Sequence, residues 1–193
     1  PPNADGSYEV HSIAADDSYQ IQLYANGRLS NTAAYDADDT LIQSLSFGYD
    51  EFGRQDEITD TRLGTTTTTY FADGQVDTIT TPDPEQTTGD LTTSHLYNTR
   101  GLLQTRTLPD ASTVHYEYTA RGQMEKTHGS QTYPVKYTYT AEGRLETMTT
   151  WQDYAGQQDA AVTEWTYDPQ RGWLDKKYDA ARDYVDYDYT PAG

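Results

Sequence analysis

Residues 116–127 read YEYTARGQMEKT, and residues 137–148 read YTYTAEGRLETM. The two stretches share a tyrosine four residues before a glycine, a second aromatic two residues before that tyrosine, and an aliphatic residue two after the glycine. The same phase recurs outward in both directions. Tyr49 and Gly53, Tyr70 and Gly74, Tyr97 and Gly101, Tyr118 and Gly122, Tyr139 and Gly143, and Tyr189 and Gly193 keep the spacing. Tyr167 and Gly172 stand one residue further apart. Most intervals between successive glycines are 21 residues, as from Gly53 to Gly74 and from Gly101 to Gly122 to Gly143. A period of this length is the signature of a repeat architecture, in which each unit is one supersecondary element stacked on the next.

The unit reads as a β-hairpin. Side chains two apart on a strand share a face, so the paired aromatics mark one side of a sheet. Asp50, Asn98, Thr119, Thr140 and Asp168 open the turn, because short polar side chains bond the backbone two residues ahead. The glycine supplies positive φ for a hairpin with a bulge. Tyr24-Ala25-Asn26-Gly27 is one residue shorter, and Asn-Gly suits a tight type I′ turn. Leu29, Val76, Leu103, Met124, Leu145 and Leu174 follow two residues after their glycines, whereas Gln55 breaks that rule. Thr78, Thr105, Lys126, Thr147 and Lys176 follow at plus four, an alternation read as a half-buried strand.

Each aliphatic residue is expected opposite its tyrosine across the hairpin, within one register step. Tyrosines of adjacent repeats, two strands apart, are ~9.6 Å from each other, so the aliphatic residue fills the gap. Second turns are expected at Ala15–Ser18, Asp60–Thr65, Leu108–Thr113, His128–Thr132 and Asp179–Asp183. The extra residues of the long intervals are expected as loop insertions within 30–42, 81–90 and 150–161, which cost little closure entropy. The expected architecture is all-β: tandem hairpins side by side in one wide antiparallel sheet, curved or spiralling because strand twist accumulates. The terminal strands are expected to have open edges.

Composition agrees with this and narrows function. The 193 residues carry 31 acidic and 13 basic side chains, a net charge of −18 that repels nucleic acid and anionic lipid. Eighteen tyrosines argue against disorder. With no cysteine, disulfides and thiolate metal sites are excluded. No apolar run is long enough to span a bilayer as a helix, and the first residues show no leader pattern. Residues 1–193 read as a single array of about eight repeats, cut from a longer repeat region.

Units such as YDEFGRQDEI, YNTRGLLQTR, YTARGQMEKT and YTAEGRLETM resemble the YD repeat of the RHS/YD-repeat family, whose usual form is YDxxGRL. The family includes bacterial RHS proteins, shell subunits of insecticidal toxin complexes and teneurins. The resemblance covers nearly the whole chain. It implies a long β-sheet spiralling into a hollow shell within a large secreted or surface bacterial protein. The implied partners are flanking repeats of the same polypeptide and an enclosed C-terminal cargo. Tyr-Asp itself occurs in the motif only at Tyr49-Asp50 and Tyr167-Asp168. Tyr167-Asp168-Pro169-Gln170-Arg171-Gly172 is similar to part of the family's self-cleaving core, but its neighbours do not continue the match and Gly172 stays in phase as a repeat with a longer turn.

No catalytic set stands out. His11, His95, His115 and His128 show no metal-ligand spacing, and Asp36, Asp38 and Asp39 lack the glycine and distal glutamate of a calcium loop. The expectation is a non-enzymatic scaffold with no cofactor and no metal. Trp151, Tyr154, Trp165 and Trp173 cluster around the longest interval. They read as a small satellite core or, alternatively, as a glycan- or partner-contacting rim. A hydrolase is the remaining class.

Overall fold

The computed structural model describes residues 6–85 and 89–190. The expected Gly193 and part of the 81–90 insertion lie outside the described residues. The chain divides into two compact units, Pro1–His95 and Leu96–Gly193. No helix occurs among the described residues.

The first unit holds β1 (Tyr8–Ile13), β2 (Tyr19–Ala25), β3 (Arg28–Tyr35), β4 (Leu41–Tyr49), β5 (Gln55–Asp60), β6 (Gly64–Tyr70) and β7 (Val76–Thr81), and most of β8 (Leu91–Tyr97). The second holds β9 (Leu103–Thr107), β10 (Thr113–Tyr118), β11 (Met124–Gly129), β12 (Val135–Tyr139), β13 (Leu145–Asp153), β14 (Gln158–Tyr167), β15 (Leu174–Tyr178) and β16 (Tyr184–Asp186). The sixteen strands succeed one another in chain order in one open antiparallel sheet. This is the tandem-hairpin sheet that the 21-residue period predicts.

Register follows the motif. Tyr24 pairs with Leu29, Tyr49 with Gln55, Tyr70 with Val76, Tyr118 with Met124, Tyr139 with Leu145 and Tyr167 with Leu174. Gln55 keeps the register although it breaks the residue pattern. Each of these pairings sits at a bulge. Glu117 faces Lys126, yet the next residue, Tyr118, faces Met124. Glu117 and Tyr118 are neighbours on a strand and point to opposite faces. The plus-two and plus-four residues therefore belong to opposite faces, not to the single face that simple alternation suggests. One unpaired residue per hairpin produces the switch.

The two faces differ in chemistry. One carries the motif tyrosines with Phe47, Ile58, Val114, Met124 and Leu145. The other carries cross-strand polar pairs, among them Thr69–Thr78 (2.7 Å), Thr138–Thr147 (2.7 Å) and Glu117–Lys126 (2.9 Å). A single layer buries little. Among the described residues only Ala33, Val114 and Trp151 are buried apolar side chains. Stability must come from many half-buried cross-strand pairs, each contributing roughly 0.2–1 kcal/mol.

The long intervals differ from expectation. In two of them the extra residues lengthen strands instead of swelling loops. β3 and β4 run 8 and 9 residues to a short turn at Asp36–Thr40, and β13 and β14 run 9 and 10 to a turn at Tyr154–Gln157. Thr, Trp and Val in these stretches favour strand and carry the alanines opposite them, so the ladder simply continues (Thr150↔Ala161, Trp151↔Ala160). The third interval leaves the ladder after Thr81 and rejoins it at Leu91.

Candidate functional site

The recurring site is the motif turn and what it touches in the next repeat. In each turn the residue after the tyrosine donates its amide to the carbonyl of the residue after the glycine. Thr119 N to Gln123 O is 2.9 Å, and Thr140 N to Arg144 O is 2.8 Å. The glycine amide returns a bond, Gly122 N to Thr119 O at 2.9 Å and Gly143 N to Thr140 O at 2.9 Å. Asp50 Oδ1 accepts from the Phe52 and Arg54 amides, both at 2.9 Å, and Asn98 Oδ1 accepts from Arg100 (2.9 Å) and Leu102 (3.1 Å). This is the turn chemistry that the sequence predicts. The Gly74 turn closes in the same way without a polar opener. Phe71 N donates to Gln75 O at 2.8 Å and Gly74 N to Phe71 O at 2.9 Å. Asp73 Oδ1 accepts from Gln75 N at 3.1 Å instead. In the longer turn, Asp168 N donates to Trp173 O at 2.8 Å and Asp168 O accepts from Gly172 N at 2.8 Å, so one extra residue is absorbed.

The opposite rim reuses the turn without glycine. Leu108 N bonds Ser112 O (2.8 Å) and Ala111 N bonds Leu108 O (2.9 Å), with Ala111 at φ 63°. Asn26 and Gly27 both have positive φ, 52° and 75°, as a type I′ turn requires.

Two contacts stitch one hairpin to the next. The first runs through the tyrosine hydroxyl. Tyr49 Oη donates to Leu29 O (2.8 Å), Tyr70 Oη to Gln55 O (2.5 Å), Tyr139 Oη to Met124 O (2.6 Å) and Tyr167 Oη to Leu145 O (2.6 Å). In every case the acceptor is the plus-two residue of the preceding repeat. The tyrosine is thus a hydrogen-bonding tie as well as packing. Burial, and then the neighbouring Tyr137, raise the Tyr139 pKa above the ordinary phenol value. The hydroxyl therefore stays a proton donor well beyond neutral pH.

The second contact runs through the residue after the glycine. Arg28 lies over the Tyr49 ring at 5.4 Å, Arg54 over Tyr70 at 4.4 Å and Arg144 over Tyr167 at 4.8 Å. Two of these side chains also fill the space where the next glycine has no Cβ. A Cβ on Gly53 would lie 1.9 Å from Arg28 Nη2, and one on Gly172 2.3 Å from Arg144 Nη1. Gly74 departs from this arrangement. A Cβ there would meet Arg54 Nη1 at 3.8 Å, an ordinary contact, because Arg54 lies lower, on the Tyr70 ring and against Asp50. At Gly74 only the turn conformation, φ +89°, calls for glycine. Gln123 takes the arginine's place in its repeat and donates from Nε2 to Gly143 O at 2.7 Å. Arg100 and Arg121, which precede their glycines, reach the next turn too: Arg100 Nη1 bonds Thr119 O (3.0 Å) and Ala120 O (2.9 Å), and Arg121 bonds Ala141 O. The motif glycine thus supplies positive φ at every described copy and, at Gly53 and Gly172, room for a neighbour's side chain as well.

Phenylalanine at position 139 tests the first tie. Tyr139→Phe should keep the ring packing and lose the bond to Met124 O, costing about 1 kcal/mol. Denaturant unfolding checks it, and an unchanged midpoint would deny the hydroxyl any structural role.

Asp50 sits within this lattice. Partial burial opposes its ionisation, but the Arg54 amide and guanidinium and the Phe52 amide outweigh it and hold its pKa below the ordinary carboxylate value. Asp60, buried at the other rim, is held low by Gln43 Nε2 (2.7 Å) and then by the Arg62 amide.

The tryptophans do not form one site. Trp151 is buried, 8% exposed, with Tyr154 edge-on at 5.4 Å. Trp165 pairs with Lys177 across β14 and β15. Trp173 lies against Tyr189 at 5.0 Å with Arg171 stacked at 4.8 Å. Trp173, Tyr189, Tyr187, Asp168, Asp175 and Asp188 line an open cleft of ≈ 280 Å³. Tyr189 falls beyond β16.

The histidines have no metal-ligand spacing along the chain, but the fold brings His115 and His128 side by side, ring centroids 5.1 Å apart. The legible signal is the register about the Thr119–Gly122 turn, which sets 115 opposite 128. His128 Nε2 is 3.2 Å from Glu117 Oε1, which also takes Lys126 Nζ at 2.9 Å. The Lys126 hydrogen bond, followed by its charge and then by His128, outweighs burial and lowers the Glu117 pKa. Among the described residues, no three His, Cys, Asp or Glu side chains converge as a metal site.

No protein-family model and no curated protein matches this chain. Solved structures do. The crystal structure of TcdB2-TccC3-TEV superposes with TM-score 0.72 over 100% of the chain at 16% identity. TcdB2-TccC3 without its hypervariable C-terminal region gives 0.73 over 95% at 18% identity. The Photorhabdus luminescens Tc holotoxin pore gives 0.70 over 100% at 16% identity. The chain has an RHS/YD-repeat-like fold. At these identities the likeness is one of fold, and the matched stretch is 10% to 11% of those chains. In RHS/YD terms, the structure gives the Tyr, the Gly and the Arg that follows it distinct inter-repeat roles.

Proposed function

We propose that this chain is a non-enzymatic wall segment of an RHS/YD-repeat β-shell in a large secreted or surface bacterial protein. Its neighbours are further repeats of the same polypeptide, and its work is to enclose a C-terminal cargo or to present loops. The observation that carries this reading is the repeated stitch. Tyrosine hydroxyls, arginine stacks and glycine gaps all serve to join one hairpin to the next. A surface devoted to such ties suits a wall. The fold shared with the TcdB2-TccC3 structures supports the same reading.

A graft tests it. This chain would replace the matched stretch of TcdB2-TccC3, and proteolysis of the C-terminal region would be timed. Protection equal to that of the parent is expected. A graft that melts cooperatively yet leaves the C-terminal region cut as fast as free cargo would overturn the proposal.

A second reading, a carbohydrate- or protein-binding adhesion module, is favoured by one observation: the cleft where Trp173 and Tyr189 meet three aspartates. Aromatic faces beside carboxylates suit a sugar. A glycan retained by the chain on an array and lost in Trp173→Ala would favour this reading over the wall.

A further inference from the structure

We propose that His115 and His128 form a two-imidazole site for a borderline-soft divalent ion, binding Cu²⁺ more tightly than Zn²⁺. The two residues are direct partners on β10 and β11, so their Cβ atoms are ~4.5–5.5 Å apart on one face. Their rings are tilted by 32° with centroids at 5.1 Å. Metal–nitrogen bonds of ~2.0–2.1 Å hold two bridged nitrogens no more than ~4.2 Å apart. His115 Nε2 faces Thr113 and His128 Nε2 faces Glu117, so both side chains must turn about χ1 and χ2 to bring two nitrogens within that span.

The surroundings fit a ligand pair. Thr105 Oγ1 lies 3.1 Å from His115 Nδ1, the kind of outer contact that fixes an imidazole's orientation and leaves Nε2 for a metal. Nε2 now contacts Thr113 Oγ1 at 3.1 Å, a neutral hydroxyl that an ion displaces readily. On the other side, Tyr154 packs its ring 5.6 Å from His128, and the His128 side chain is only 26% exposed. Glu117 Oε1 rests 3.2 Å from His128 Nε2 and 2.9 Å from Lys126 Nζ, so the ion takes His128 through Nδ1, the carboxylate stays with the lysine, and water completes the coordination. Imidazole ligands suit copper and zinc, whose order follows the Irving–Williams series, and not magnesium or calcium. Joining β10 to β11 in this way clamps one hairpin of the wall.

The experiment titrates the untagged chain with Cu²⁺ and Zn²⁺ by calorimetry and tryptophan fluorescence. Trp151 reports locally, because it abuts Tyr154, which abuts His128. His115→Gln and His128→Gln preserve size and hydrogen bonding, and melting curves verify that both fold. One ion per chain is expected, with Cu²⁺ ahead of Zn²⁺ and unaffected by excess Mg²⁺. Each Gln variant should weaken Cu²⁺ on the order of tenfold or more, because the second ligand acts at high effective concentration. His11→Ala should change nothing. Saturable binding unaltered in both folded Gln variants, or no saturable binding below millimolar Cu²⁺, would overturn the site.

Discussion

Gly129→Ala should destabilise the β10–β11 hairpin by ~3 kcal/mol, the upper end for an overpacked site. A methyl group there would lie 1.9 Å from Thr113 O, 2.9 Å from Thr113 C and 3.0 Å from Val114 Cα. All three are backbone atoms, so no rotamer relieves the clash. Thr113 O already accepts from Ser130 N at 3.1 Å, and Ser130 Oγ accepts from Thr113 N at 3.0 Å. Accommodation must pull the strands apart at the Val114↔Gly129 pair, where Val114 is 5% exposed. In an array whose units contact only their neighbours, the loss should be local. Hydrogen exchange should accelerate across β10 and β11 while the distant strands change little. A variant within about 0.5 kcal/mol of the parent, with unchanged exchange, would show that the close approach has no energetic weight.

Gly122→Val comes next, at about 2 kcal/mol, and for a different reason. The nearest atom to a Cβ there is Leu102 Cδ1 at 3.9 Å, so space is not limiting. The cost lies in φ +86°, a conformation that a β-branched residue adopts only under strain. Alanine should cost less, since Ala111 already holds φ 63° in the equivalent turn of the other rim. A two-residue insertion after Pro84 should cost under about 0.5 kcal/mol, because loop closure grows only logarithmically with length. Melting temperatures of the three variants give the order, at ~2–4 °C per kcal/mol for a chain of this size. An insertion as harmful as valine would contradict the assignment of Gly122 to a strained turn.

The two glycines show what a sequence displays and what it hides. Gly122 announces its role through period and through Tyr118 four residues earlier. Gly129 is out of phase, and nothing local marks it. Its importance appears only when β10 is laid beside β11 and Thr113 O arrives at its Cα. The arginines behave alike. Arg28, Arg54 and Arg144 are visible as the residue after a glycine, but the ring that each one covers belongs to the next repeat. Whether an arginine also fills the next glycine's gap, as at Gly53 and Gly172, or stops short of it, as at Gly74, depends on its rotamer. The bulge is foreseeable in the turn chemistry, yet its effect on the faces is not, because counting by two assumes an unbroken ladder.

The long intervals carry the same lesson. A length excess over 21 does not say whether residues swell a loop or extend a ladder. Trp151↔Ala160 and Thr150↔Ala161 decide it by pairing. His115 and His128, 13 positions apart, become neighbours through a register that the turn between them sets.

From the order of residues alone came the hairpin unit, its turns, the all-β sheet and the tyrosine–aliphatic pairing. These are local: side-chain alternation and turn dihedrals act over a few residues, so the period records them directly. The hydroxyl ties, the arginines seated over the next repeat's tyrosine, the backbone contact at Gly129 and the close approach of the His115 and His128 rings were decided by tertiary structure. They join atoms of different strands, and their positions depend on bulges, twist and rotamers that no spacing in the chain encodes.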